Sequence, residues 1–154
     1  MEKDLRCDHI HEYTDDELKQ MTFVADDVDR LQPLRIVKGT DKASEFYSFW
    51  ELASQDGCPV LLYSSRALDV LDEERRQLGP IKMTSGHRSI PWNQYVGGVP
   101  DSDHVLGNGW DHKSARGPVM QVHTLEVIDG TMNAIGLYKT FVHYGGHRVA
   151  RWTG

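Results

Sequence analysis

Apolar residues recur at helical spacing in three segments of the first half of the chain. The segment 14–21 opens with a threonine followed three residues later by a glutamate, a capping-box pattern that predicts a short helix. A second helix is predicted over 44–53, which begins with a serine and carries aromatic residues at helical spacing. The clearest helix starts at Ser64 or Ser65 and ends at Gly79–Pro80.

The second half of the chain changes to short apolar runs that predict strands. These runs lie at 81–89, where the strand leads into a polar turn, and at 119–130, 134–145 and 147–152. Between them, residues 85–119 are rich in Gly, Pro, Ser, Asn, Asp and His and show little periodicity, so we expect a long functional loop. Helices in front of strands favour an α+β domain.

Length and charge divide the chain into a body and an acidic segment. The 154 residues suffice for one domain with a sizeable core. Residues 1–30 hold ten acids and four bases, which accounts for the whole net charge of −6. We therefore expect an acidic N-terminal arm over 1–40, available for docking on a protein partner, and a folded body over 41–154. The absence of a basic face argues against nucleic-acid binding.

The expected location follows from the apolar pattern. No apolar run approaches the ~20 residues that a membrane span needs, so we expect no membrane partner. The N-terminus has no apolar signal-peptide core, which predicts synthesis in the cytoplasm. The only two cysteines, Cys7 and Cys58, are expected to be reduced and structural, so cysteine ligation of a metal is not expected.

Two histidines and an aspartate stand out as candidate metal ligands. His104 and Asp111 flank Gly107 and Gly109, which would let the backbone turn both side chains toward one point, and His143 follows a predicted strand. Two imidazoles and one carboxylate leave a fourth position open, as in catalytic zinc sites. Zinc in such a site lowers the pKa of its bound water to roughly 7 and polarises a carbonyl. On spacing alone the alternative stays open, because in a chain with eight histidines surface or hydrogen-bonded positions are the commoner outcome.

A set of motifs gives this hypothesis more weight. The chain contains, in this order, SGHRS at 85–89, NQYVGG at 93–98, SDHVLGNGWD at 102–111, TFVH at 140–143 and RVARW at 148–152. Together they resemble the zinc D-alanyl-D-alanine carboxypeptidase and murein endopeptidase family, the LAS metallopeptidases, which includes VanY-type enzymes and many phage endolysins. The resemblance covers about residues 44–152. It implies a small antiparallel sheet with helices packed on one side, as in the Hedgehog and DD-peptidase folds.

The resemblance also implies roles for individual residues. It assigns the zinc ligands to His104, Asp111 and His143. Arg88 corresponds to the arginine that faces the substrate or the developing oxyanion, and a fixed guanidinium suits both tasks. Ser102 corresponds to a serine that supports the site.

Three further side chains belong to the loops that would shape the cleft. Asn93 matches, with the following glycines, a loop of this family. Trp92 and Trp110 lie in the same part of the chain and are candidates for lining a substrate groove.

Two departures from the family pattern concern the proton shuttle. Many members carry Asp or Glu three residues before the last ligand, where this chain has Thr140, and other members carry Asp two residues after it, where this chain has Gly145. A threonine hydroxyl cannot accept the proton at neutral pH. His147 is the candidate that could fold back and act as the base. Smaller departures are His87 in place of Tyr and Gly109 in place of Ala.

Two functions follow from the resemblance. The first is a zinc-dependent peptidoglycan peptidase, a carboxypeptidase or endopeptidase that cuts stem or cross-bridge peptides near D-Ala. Its role would be phage or prophage lysis, at the cell wall after release or as part of a virion. The alternative is a catalytically degenerate module on the same fold that serves as a virion or tail structural protein or binds the cell wall. The missing carboxylate and the acidic arm favour the alternative.

Overall fold

The computed structural model describes residues 11–30, 33–114, 134–146 and 150–154. Within these ranges the chain forms five helices and eight strands. The helices are α1 (Asp15–Gln20), α2 (Phe49–Leu52), α3 (Ser65–Leu78), α4 (Ile90–Tyr95) and α5 (Asp103–Leu106). The strands are β1 (Thr22–Asp27), β2 (Arg35–Lys38), β3 (Val60–Tyr63), β4 (Ile81–Ser85), β5 (Gly109–Ser114), β6 (Ala134–Leu137), β7 (Val142–Gly145) and β8 (Ala150–Thr153). The strand predicted over 119–130 lies outside the described residues.

The strands form two mixed sheets, so the α+β class is confirmed and the purely antiparallel sheet is wrong. The smaller sheet has the order β2-β1-β3, with β1 antiparallel to β2 and parallel to β3. The larger has the order β4-β5-β7-β6-β8, and its β6–β8 pair is parallel. The topology explains this pair. Since β7 ends opposite the start of β6, a β8 that begins there on the other side of β6 must run in the same direction as β6.

Two of the predicted helices are confirmed, and both are set by their caps. At α1 the Thr14 hydroxyl accepts the backbone N–H of Glu17 at 3.2 Å, and the Glu17 carboxylate accepts the Thr14 N–H at 2.7 Å. At α3 the Ser64 side chain caps the first turn and Gly79, with φ of 84°, ends the helix. These ends depend only on local sequence, which is why the pattern located them.

The helix predicted over 44–53 is wrong in its extent. Only α2 forms, with Ser48 as its N-cap residue. The Ser44 hydroxyl donates to the Asp72 carboxylate on α3 at 3.0 Å, and the Glu45 N–H donates to the same carboxylate at 3.2 Å. Because these contacts hold Ser44 and Glu45 against α3, the chain turns at this point and starts its helix four residues later.

The segment 85–119 is more ordered than the predicted loop. Its described part contains α4, α5 and the six-residue strand β5. Side-chain caps start both helices, through Ser89 at α4 and Ser102 at α5. Helices of four to six residues are too short for an apolar stripe, so the hydrophobic pattern did not reveal them.

The described part of the acidic N-terminal segment packs against the rest of the chain. Strand β1 lies between β2 and β3 in the smaller sheet. Four side chains of this segment are buried in the hydrophobic core: Leu18, Phe23, Ala25 and Val37. The boundary at residue 40 between an arm and a body stays a prediction.

The same core contains residues of both sheets, among them Trp110, Tyr144 and Leu61. Cys58 is buried and disulfide-bonded, so the expectation that it is reduced is wrong. Among the helices that the structure describes, none is both long and apolar enough to cross a bilayer.

Candidate metal centre

Three elements bring the predicted ligands together. His104 lies in α5, Asp111 in β5 and His143 in β7. Asp111 and His143 are directly opposed in the antiparallel β5–β7 pair. One potential ligand atom of each of the three side chains lies within 4.8 Å of the other two. The larger sheet and α5 therefore bring together side chains that are distant in sequence, since His104 and His143 are 39 positions apart.

The short turn between α5 and β5 sets the position of His104 relative to the sheet. Gly107 ends α5 in the left-handed conformation, with φ of 79°. A Cβ atom on Gly107 would lie 2.3 Å from the Cβ of Leu62 on β3. The glycine therefore allows both the turn and the close packing of α5 against β3.

The facing atoms of the cluster have the chemistry of a zinc site. The Oδ1 atom of Asp111 lies 3.2 Å from Nε2 of His104 and 2.9 Å from Nδ1 of His143. All three side chains are buried. Two imidazole nitrogens and one carboxylate oxygen that face each other in this way are the ligand set of catalytic zinc sites, which keep a further position open.

Each of the three side chains also has a partner on its outer side. Nδ1 of His104 donates to the Gly86 carbonyl at 2.8 Å, which leaves Nε2 as the atom that faces the cluster. The outer oxygen of Asp111 accepts from Nη2 of Arg88 at 3.2 Å. Nε2 of His143 lies 3.4 Å from Oδ2 of Asp103. Such outer contacts orient ligands and fix the histidine tautomers in metal sites.

The three side chains of the cluster shift one another's pKa values. Burial lowers the pKa of His104, against the attraction of Asp111. Burial opposes ionisation of Asp111, but the charges and hydrogen bonds of His104 and His143 hold its pKa well below the usual range. Burial also opposes charge on His143, yet its hydrogen bonds to Asp103 and Asp111 raise its pKa to about 9. A bound cation would take the place of this proton.

The guanidinium of Arg88 is fixed at the edge of the cluster. Its Nε donates to the Ser85 hydroxyl at 3.2 Å, and Nη1 donates to Oδ1 of Asn93 at 3.4 Å. Asn93 in turn donates to the Val99 carbonyl at 2.8 Å, so it ties the loop after α4 to the arginine. The predicted residue Ser102 caps α5 by accepting the His104 N–H at 3.3 Å, which supports the position of that histidine.

The cluster lies in the wall of a cavity of about 550 Å³. Arg88, His104, Asp111 and His143 line this cavity together with an aromatic wall that sequence analysis did not assign to it: Tyr138, Phe141 and Trp152. The Trp152 ring lies 5.3 Å from the His143 ring, and its Nε1 donates to the Tyr138 hydroxyl at 2.9 Å. The alternation of strand β8, which places Trp152 on the same face as Ala150, is the sequence signal that could have located it.

Other predicted site residues lie elsewhere. Trp110 is fully buried in the hydrophobic core, away from the cavity, because it alternates with Asp111 along β5 and points to the opposite face. Trp92 is 7% exposed and stacks on Tyr95, outside the cavity lining. Thr140 is exposed in the turn between β6 and β7. His147 lies outside the described residues.

The buried His-Asp-His cluster beside the fixed guanidinium of Arg88 is a group of side chains that could hold a catalytic metal ion. The family model described as Peptidase M15 matches residues 31–145, and the chain belongs to this family. M15 peptidases are zinc-dependent metallopeptidases, which agrees with the cluster. Neither the curated proteins nor the solved structures contain a match to the chain.

Proposed function

We propose that this protein is a zinc-dependent peptidoglycan peptidase that cuts stem or cross-bridge peptides near D-Ala, as a carboxypeptidase or an endopeptidase. Membership of the peptidase M15 family supports a zinc peptidase with a peptidoglycan substrate. The proposal includes a Hedgehog or DD-peptidase-like arrangement of helices and sheet. It also includes zinc ligation by His104, Asp111 and His143.

One observation carries the proposal. The three inward atoms of the cluster meet at the wall of a cavity that also contains a positively charged guanidinium. A structural zinc site is closed by four protein ligands, whereas in the part of the chain that the structure describes this cluster brings three ligand atoms together and borders a cavity. Zinc bound there would act as a Lewis acid that polarises a peptide carbonyl and activates water.

The protein's own residues supply substrate binding and charge stabilisation. Arg88 is held by Ser85 and Asp111, so its guanidinium needs no reorganisation to meet negative charge that develops on a carbonyl oxygen, or a peptide carboxylate. The aromatic wall of Tyr138, Phe141 and Trp152 offers an apolar surface for the stem peptide next to the cluster. Asn93 shapes the loop on the other side of Arg88.

The biological setting is part of the same proposal. A protein of this kind would be made in the cytoplasm and act at the cell wall after phage or prophage lysis, or travel in a virion. The second candidate is the degenerate module, structural or wall-binding, and one observation favours it. Thr140 sits in an exposed turn and position 145 has no side chain, so neither place that holds an acid in other members holds one here.

The test combines metal analysis with digestion of purified murein. We would measure zinc by atomic emission on protein prepared without a histidine tag, for the wild type, His104→Ala and the exposed His11→Ala as a matched control. The same proteins would be incubated with murein and with synthetic stem peptides that end in D-Ala-D-Ala, and the products identified by mass spectrometry.

We expect about one zinc per chain in the wild type and His11→Ala, little in His104→Ala, and peptide cleavage that follows zinc content. Release of a terminal D-Ala would identify a carboxypeptidase, and opening of cross-linked dimers an endopeptidase. Stoichiometric zinc without any cleavage would transfer the assignment to the degenerate module. Absence of zinc from the supplemented wild type would refute the metal site itself.

A further inference from the structure

Asp103 brings a second carboxylate to the cluster from a position that the ligand set does not use. It is the first residue of α5, next to His104 in sequence, and it is 8% exposed. Its Oδ2 lies 3.4 Å from Nε2 of His143 on β7, across the boundary between helix and sheet. The other ring nitrogen of His143 faces Asp111 at 2.9 Å. The imidazole of His143 is therefore held between two carboxylates, one on each nitrogen.

The two nitrogens of His143 cannot both serve a metal ion. Nδ1 belongs to the group of inward atoms, because it faces the same Asp111 oxygen as Nε2 of His104. Nε2 points to the outer side, so in a metal-bound neutral imidazole it carries the hydrogen. A carboxylate that accepts this hydrogen fixes the tautomer and the ring orientation and increases the basicity of the ligand nitrogen. Asp103 lies where such an acceptor is needed.

Two glycines, Gly109 and Gly145, leave room for the side chain of Asp103. A Cβ atom on Gly145, two residues after His143, would lie 2.1 Å from Oδ2 of Asp103. A Cβ atom on Gly109 would lie 2.5 Å from the Cβ of Asp103. Neither glycine has a positive φ, so the backbone conformation does not require glycine at these two positions. Close approach of Asp103 is what excludes larger residues there.

We propose that Asp103 is a positioning residue that accepts the Nε2–H of His143 and so presents Nδ1 to the metal, and that Gly145 is the space that this carboxylate requires. The inference rests on the proposed zinc site and adds to it a residue that acts through His143. It predicts that zinc affinity depends on both positions and that their effects are coupled.

The experiment measures zinc affinity by competition with a chromogenic chelator, together with the visible d–d absorption of the cobalt(II)-substituted protein. Asp103→Ala should weaken zinc binding about 10- to 100-fold, the range found for loss of an outer hydrogen-bond partner of a ligand. Asp103→Asn keeps an oxygen acceptor in the same volume and should recover most of this loss. The cobalt spectrum should change in Asp103→Ala and return toward the wild type in Asp103→Asn, which a role limited to packing would not produce.

Gly145→Ala provides the independent arm. Its methyl group displaces the Asp103 carboxylate and should weaken zinc binding as much as Asp103→Ala, whereas the double variant should be no weaker than either single variant. The matched control is Asp101→Ala, which removes an exposed carboxylate from the rim of the same cavity and should leave zinc affinity within about twofold.

The outcomes separate the two proposals. A wild type that binds zinc, with Asp103→Ala, Asp103→Asn and Gly145→Ala all equal to it, would refute the role of Asp103 and leave the metal site intact. Equal losses of zinc affinity in Asp101→Ala and Asp103→Ala would assign the effect to net charge and would also refute the role of Asp103. A wild type that binds no zinc would refute both proposals.

Discussion

The burial of His87 leads to a prediction about the stability of the protein in acid. The side chain is 1% exposed and lies in the turn between β4 and α4. Burial lowers its pKa to about 4, and the nearby His104 backbone and Asp56 carboxylate offset only part of this effect. In the unfolded chain the same imidazole titrates near its ordinary pKa of about 6.5.

The sign follows from which state takes up protons first. The unfolded chain gains a proton at His87 as the pH falls through about 6.5, whereas the folded protein stays neutral there until the pH approaches about 4. The contribution of neutral, buried His87 to the free energy of unfolding is therefore complete above about pH 6.5 and decreases as the pH falls from about 6.5 to about 4. Proton uptake integrated from pH 7 to pH 5 gives a loss of about 2 kcal/mol from this one residue.

The assay is urea unfolding of chelator-treated wild type and His87→Phe at a series of pH values from 7.5 to 5. The equally buried His112, whose pKa burial also lowers to about 4, remains in both proteins and contributes equally to both curves. Phenylalanine fills a similar volume without a titrating nitrogen, so its curve should lose about 2 kcal/mol less than the wild type over this range. Parallel curves for the two proteins would refute the argument that His87 is neutral in the fold.

Three further predictions test the turn, the cleft and the core. Gly107→Ala should cost more stability than Gly97→Ala in urea unfolding. Both glycines have a positive φ, but a Cβ atom at position 107 would collide with Leu62 on β3, whereas a Cβ atom at position 97 would meet no other atom within 4 Å. Arg88→Ala, assayed with saturating zinc because Arg88 also holds the outer oxygen of Asp111, should lower kcat on a stem peptide about 10²- to 10³-fold, as measured by D-Ala release. Tyr47→Phe should lose about 1 to 3 kcal/mol in thermal unfolding, because its buried hydroxyl donates to the Ile81 carbonyl at 2.9 Å.

Elements whose ends are set by neighbouring residues could be predicted from the sequence. The caps at Thr14, Ser64 and Gly79 each act within one turn of their own helix. Helix α1 begins where Thr14 predicts, and α3 begins and ends where Ser64 and Gly79 predict. The segment 44–53 behaved differently because the deciding partner is Asp72, 28 positions after Ser44. Spacing along the chain contains no information about that contact.

The direction of strands has the same limit. The apolar run over 134–145 predicted one strand, which is wrong, because the chain turns after Leu137 and forms the antiparallel pair β6 and β7. The run over 147–152 predicted β8 but not its direction, and the parallel β6–β8 pair results from which side of β6 the chain returns to. Trp110 illustrates the consequence for the cleft. Trp110 shares a strand with Asp111 and must face away from it, so identification of β5 as a strand would have placed it in the core.

The candidate site could be predicted as far as its motif extends. His104, Asp111 and His143 were identified from the sequence, and the structure brings their side chains together. Their outer partners could not be identified in the same way. The contact of Asp103 with His143 joins residues 40 positions apart and exists only because α5 packs over the edge of the β5–β7 pair.

Two of the departures from the family motif, Gly109 and Gly145, have a common explanation in space. At two positions where other members carry a side chain, 109 and 145, this chain has glycine, and a Cβ atom at either would collide with Asp103. The family's acid two residues after the last ligand is absent here, because position 145 is glycine. The space that its side chain would enter contains the carboxylate of Asp103 from the neighbouring helix α5. Adding a carboxylate back as Gly145→Asp, with Asp103 retained, would force two negative charges into one buried volume and weaken the site. Under the role proposed for Asp103, position 145 and Asp103 are alternatives for one space, and a comparison made position by position along the sequence would not detect that exchange.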